Sequence, residues 1–126
     1  MFDFFFSLYN YNDFALLFLR IIIGAIFLHH GMDKIKHARG KYLALGFAEM
    51  AGSIGMFTGL LAQPAAVGLA IVMLGATYMK KFRWHTPFVS NTSTGYELDL
   101  MILAGCLLIL VMGAGAFSLD RIWFNL

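Results

Sequence analysis

Charge is what this sequence lacks most. Asp, Glu, Lys and Arg make up 13% of its 126 residues, against 60% hydrophobic, where a soluble domain carries about a quarter charged residues. A chain this short has too little interior to hide that much apolar surface. Lipid must cover most of it, which excludes a soluble globular domain. Cysteine is nearly absent as well. Cys106 stands alone in an apolar run, which excludes an intrachain disulfide or a dithiol relay and leaves a buried, inert thiol as its reading. Basic excess is missing too: the net charge is +2, no basic stripe forms, and no nucleic-acid partner is expected. Finally, no Lys or Arg precedes Arg20, and no small-residue cleavage site promptly follows the first apolar run. The N-terminus therefore does not read as a secretory signal, and the first helix is expected to stay in the mature protein.

What is present is apolar sequence in lengths that suit a bilayer. Phe2, Phe4, Phe5, Phe6, Tyr9 and Tyr11 look like an interfacial aromatic belt. Behind them come four segments near the ~20 residues that a spanning helix needs. They predict helices over about 13–31, 41–61, 64–81 and 96–117, an all-α membrane protein with four transmembrane helices in one antiparallel bundle. Asn12 or Asp13 suits the first N-cap, and Pro64 suits the first position of the third helix. The stretch from Phe82 to Gly95, with Trp84, His85 and Pro87, reads as a loop on the membrane surface. Lys34, Lys36, Arg39 and Lys41 occupy one connection and Lys80, Lys81 and Arg83 the other on that side, whereas the opposite side holds only Arg121. The positive-inside rule makes both basic loops cytoplasmic and places both termini outside, as in a multi-pass protein of a bacterial-type inner membrane.

Two ionisable residues interrupt the apolar runs: Arg20 in the first and Glu49 in the second. A charge at bilayer depth costs at least ~2.5–3.5 kcal/mol, so such residues face protein and usually have a task. At about 100° per residue, Arg20, Gly24, Phe27, Gly31 and Lys34 share one stripe, with His30 beside it and His29 nearly opposite. Gly52, Gly55 and Gly59 form a small-residue stripe beside Glu49, where another helix can approach closely. Arg20 lies ~10 Å below the outer end of its helix and Glu49 ~12 Å above the inner end of the next. In a ~30 Å core their backbones are ~8 Å apart along the normal, which permits a direct or water-bridged pair. The alternative for Arg20 is snorkelling outward, and the alternatives for Glu49 are a protonated structural carboxyl or half of a structural ion pair. Thr94, Gly95, Tyr96 and Glu97 spell a capping box, and Asp99 suits the positive end of the same helix. His29, His30, Glu49, Glu97 and Asp99 all belong to the cytoplasmic half, as members of a proton path or, less well, of a metal site. No repeated Glu-x-x-His spacing supports metal, and haem between His30 and His85 is disfavoured by the loop position of His85.

Taken in order, Arg20, His30-Gly31, Lys34, Glu49-x-x-Gly52, Gly59-Leu60, Gly95-Tyr96-Glu97-Leu98 and the tail from Gly113 to Asp120 resemble the DoxX family of small four-helix membrane proteins. The likeness covers nearly the whole chain; the doubled His29 and Asp99 depart from it, and no role is carried to either. It implies a membrane subunit of a quinone-linked redox complex, since relatives include a subunit of a thiosulfate:quinone oxidoreductase and parts of membrane thiol-stress complexes. The residues identify no cofactor of the chain's own: no flavin fold, iron–sulfur cysteine set or dithiol is present. The resemblance then implies quinone and a redox protein partner, with Arg20, His30, Glu49 and Glu97 positioning a quinone oxygen and relaying protons. Two other readings stay open. One is a small-solute or proton-coupled transporter working as a homo-oligomer through the glycine stripe. The other is a structural scaffold whose polar residues specify packing. Whatever the function, a reporter active only outside the cytoplasm should be active when fused to the C-terminus; an expressed but silent fusion would reverse the topology.

Overall fold

The computed structural model describes residues 1–125, which form helices and turns without a strand. A short helix α1 (Phe2–Ser7) runs through a 3₁₀ turn (Leu8–Tyr11) into α2 (Asn12–His37). The chain then folds into α3 (Lys41–Thr58), α4 (Ala62–Tyr78) with a π-helical extension (Met79–Arg83), α5 (Tyr96–Met112) and a short α6 (Leu119–Phe124). Two continuous helical stretches, Phe2–His37 and Ala62–Arg83, are long and apolar enough to cross a membrane. Helices α3 and α5 have 18 and 17 residues, slightly short of the ~20 of a spanning helix.

Helix ends differ from the sequence expectation for identifiable reasons. Asp13 does not cap α2; the helical backbone continues through it, and its carboxylate is used elsewhere. Gly59, in the left-handed region at φ +70°, ends α3 before residue 61. Helix α4 starts at Ala62, so Pro64 sits in the first turn, where its missing N–H costs nothing. Gly113, at φ +80°, stops α5 at Met112 rather than Phe117. The chain from Gly113 onward instead folds back across the end of the bundle. Thr94 makes no cap: Gly95 holds that position without a side-chain bond, and a Cβ there would collide with the Phe88 carbonyl.

Helices α2 and α3 form a tight antiparallel pair because both present small residues at the crossing. A Cβ on Gly31 would lie 2.8 Å from the Gly46 carbonyl oxygen, and one on Gly46 would lie 2.9 Å from Cβ of Lys34. One to two turns away, Ser53 Oγ donates to the Gly24 carbonyl at 2.7 Å. Lipid provides no hydrophobic drive between helices, so this backbone proximity is the main source of attraction. Helices α4 and α5 form the second hairpin, and the two hairpins meet around Ile23, Phe27, Met56, Leu69, Met73, Ile102, Cys106 and Ile109. The Gly52–Gly55–Gly59 stripe is taken up inside the chain: Leu69 lies on Gly52, Ala65 beside Gly55, and Ser118 on Gly59.

Gly31→Ala should therefore lower the thermal midpoint in detergent, since overpacking against backbone costs about 1–3 kcal/mol. Gly75→Ala meets open space and should raise it slightly, by up to about 1 kcal/mol from helix propensity. Thermal melts of both variants check the opposite signs.

Candidate functional site

The close approach of α2 and α3 also builds the first buried charge pair. The stem of Lys34 passes over Gly46, where no Cβ obstructs it. Its ammonium then reaches Glu49, one turn further along α3, donating to Oε1 at 2.7 Å and Oε2 at 2.8 Å. Glu49 is 1% exposed, whereas Lys34 keeps 29% exposure. Both carboxylate oxygens are thus bonded, which is the condition for burying an ionised carboxyl without a penalty of several kcal/mol.

The α4–α5 hairpin carries a second, less complete pair. Lys80 Nζ lies 2.9 Å from Asp99 Oδ2, with 17% and 4% of the side chains exposed, but Oδ2 is left without a hydrogen bond. Lys80 belongs to the π-helical turn, where Trp84 N donates to the Met79 carbonyl at 2.9 Å. Such turns shift the phase of the residues that follow and recur at functional sites. Asp99 points inward because it continues the buried row of Ile102, Cys106 and Ile109. His30, partly buried, lies one turn before Lys34 on α2. Two cation–carboxylate pairs, one per hairpin, therefore occupy the same half of the bundle.

The opposite end is organised differently. Arg20 is fully buried, and its guanidinium donates to the Met56 carbonyl at 3.0 Å and to the Phe117 carbonyl. Asp120 accepts from Leu61 N at 2.6 Å and Ala62 N at 2.9 Å, which caps α4. Its own N–H donates to the Gly59 carbonyl at 3.0 Å, and Asp13 accepts from Ala116 N at 2.9 Å. Gly59 admits no side chain here, since a Cβ would strike both Ser118 and the Arg20 guanidinium. The Arg20–Met56 bond joins α2 to α3, and the others tie the returning tail to α2 or to the turn between α3 and α4.

The sequence-predicted residues thus divide. His30 and Glu49 fall together, but the permitted Arg20–Glu49 pair does not form. Arg20 lies level with Met56, seven residues from Glu49, a rise of ~10 Å, and takes carbonyls at its own height rather than snorkelling. Glu97 is exposed and stands apart from both pairs. Lys80, read as a basic-loop charge, is the residue that sequence reasoning missed; Lys34 was placed on the Arg20 stripe and Asp99 among the cytoplasmic-half polar groups, but neither was given its partner. For Asp99 the signal was present, because its spacing to Ile102 and Cys106 places it on a core stripe.

Removing one member of a half-exposed pair has unequal effects. Lys34→Met strands a buried carboxylate and should cost about 3–5 kcal/mol, whereas Glu49→Gln leaves a lysine that can swing outward and should cost about 1–2 kcal/mol. The double variant Lys34→Met/Glu49→Leu should recover most of the loss. Denaturation of all three in one detergent checks the order.

Comparison with known proteins yields no matching family model and no matching solved structure. The chain is 28% identical to an uncharacterized membrane protein of Mycobacterium tuberculosis, across 85% of this chain and 80% of that protein. It is 29% identical to an uncharacterized Haemophilus influenzae protein, across 94% and 98%. CatD of Bacillus subtilis, named as a candidate oxidoreductase, is 27% identical across 86% and 87%. With two helices able to cross a bilayer and a membrane protein among these end-to-end relatives, the chain is similar to small helical membrane proteins.

Proposed function

We propose that this chain is a DoxX-like inner-membrane protein whose helices α2 to α5 all span the bilayer. In this reading it serves as the membrane subunit of a quinone-linked redox assembly. The observation that carries it is the presence of two buried carboxylates, Glu49 and Asp99, each beside its own lysine in the same half of the bundle. Buried charge of this kind is expensive in a membrane and marks proton or substrate pathways. The similarity to a protein named as a candidate oxidoreductase supports the redox side of the reading.

The donor set suits a quinone head group, which needs hydrogen-bond donors for its oxygens and a nearby proton store. Lys34, still 29% exposed, and His30 are the donors. Glu49 and Asp99 hold the protons. Quinone, when bound, supplies a two-electron, two-proton acceptor; the electrons come from a redox protein partner. Lys34, which bonds both oxygens of Glu49, and Lys80, beside Asp99, are the cations for which a ligand oxygen would compete. Both pairs lie at the end bearing the basic loops, which the positive-inside rule assigns to the cytoplasm. Arg20 is a positioning residue in this scheme, and Glu97 has no part. A scaffold reading is favoured only for the opposite end, where each polar bond joins structural segments.

Gentle purification from native membranes should recover a stoichiometric redox partner and extractable quinone. In that complex Glu49→Gln and Asp99→Asn should lower quinone reduction by ~10²-fold or more, the scale of a lost proton-transfer group. Glu97→Gln should leave turnover unchanged, and Arg20→Gln should reduce the amount of folded protein instead. Full turnover in both carboxylate variants would remove the assignment, while solute uptake by the isolated chain in proteoliposomes would replace it with transport.

A further inference from the structure

The arm formed by α1 and the 3₁₀ turn has no use in the scheme above. Residues 1–12 are all exposed, among them Phe2, Phe4, Phe5, Phe6, Tyr9 and Tyr11. The arm is helically continuous with a candidate span, and together they make 36 residues, ~54 Å of helix against a ~30 Å hydrocarbon core. If Lys34 marks one face of the core, about 20 residues back brings the other face to Phe14. The aromatic arm therefore lies beyond the hydrocarbon, on the side of Arg20.

The loop before the C-terminal helix packs at the base of the arm. Asp13 holds Ala116 N, and the rings of Phe14 and Phe117 lie 4.8 Å apart. Just beyond this junction α6 leaves Ile122, Trp123 and Phe124 well exposed. Both α1 and α6 thus present aromatic side chains on the Arg20 side of the bundle. Apolar side chains surround α1 rather than forming the single stripe of a helix that docks on protein. Asp3 is the arm's only charged side chain, and the exposed Arg121 is the single basic residue of α6, so no basic cluster draws either segment to anionic lipid. Amphipathic aromatic rings favour the headgroup level of a bilayer. The turn at Leu8–Tyr11, where Tyr11 departs from helical geometry at φ −102°, ψ 15°, is the point at which the arm can turn into that plane.

We infer that α1 and α6 together form an interfacial anchor. It inserts at the headgroup–acyl boundary on the Arg20 side and requires no anionic lipid. This rests on the four-span reading, so the test includes a reporter for the span itself.

Three single-tryptophan proteins in phosphatidylcholine vesicles test the anchor. Trp84→Phe retains only Trp123; Phe5→Trp and Ile71→Trp are each made in a Trp84→Phe/Trp123→Phe background. Ile71 is exposed near the middle of α4 and reports the span. The indoles at positions 5 and 123 should be quenched by lipid brominated near the headgroup and spared by iodide. High salt or added anionic lipid should change neither. Position 71 should be quenched by lipid brominated near the bilayer centre. Iodide quenching at 5 and 123 with position 71 still in lipid would overturn the anchor and leave the spans standing, as would central quenching at position 5. A requirement for anionic lipid would overturn the charge argument, and loss of lipid quenching at 71 would overturn the spans and anchor together.

Discussion

The contact between Gly31 and Gly46 is the constraint on which the rest of the molecule depends. Two helices in an apolar environment are held by close backbone packing rather than by release of water. At this crossing even a methyl group is excluded. The consequence reaches beyond packing. With α2 and α3 so near, the lysine stem crosses Gly46 and its ammonium meets both oxygens of Glu49. A looser crossing would leave a buried carboxylate without its cation, and the hairpin would carry a penalty instead of a bond.

The two ends of the bundle solve the problem of buried charge in different ways. At the end with the basic loops, Lys34 and Lys80 each lie beside a buried carboxylate, and these partially exposed lysines can move. At the other end, Arg20 is sealed and bonds carbonyls, while Asp13 and Asp120 bond backbone amides. Those charges replace the solvent that helix termini and a returning tail would otherwise need. One end is thus rigid and connective, and the other has groups able to exchange partners. Chemistry belongs where partners can be exchanged, which is why the proposed proton-handling residues are confined to one half.

The resemblance to small membrane proteins and the buried pairs support each other without being the same argument. Likeness at 27–29% identity brings in a membrane setting and, through one relative's name, a redox one. The pairs bring in the residues. Asp99 shows why both are needed: no relative's name points to it, yet it is buried beside Lys80 on the core row of α5.

Much of the fold was legible in the sequence because apolar run length and charge placement are local properties. Scarce charge, four apolar segments and Arg20 on a stripe with Gly24, Phe27 and Gly31 follow from composition and helical phase, and that stripe is buried. Helix ends were less legible, since Gly59 and Gly113 stop helices only where the chain must turn back. Partner choice was not legible at all. Whether Glu49 meets Arg20 or Lys34 depends on the relative height of two antiparallel helices, which one glycine crossing sets. Asp120 as the cap of α4, and Lys80 as the partner of Asp99, likewise require the tail and the π-turn to be in place. The sequence by itself determined that buried charges exist and on which helix faces they lie. Only the tertiary structure decided how they pair, because pairing over 2.7–2.9 Å is sensitive to shifts of a fraction of a helical turn that no local pattern encodes.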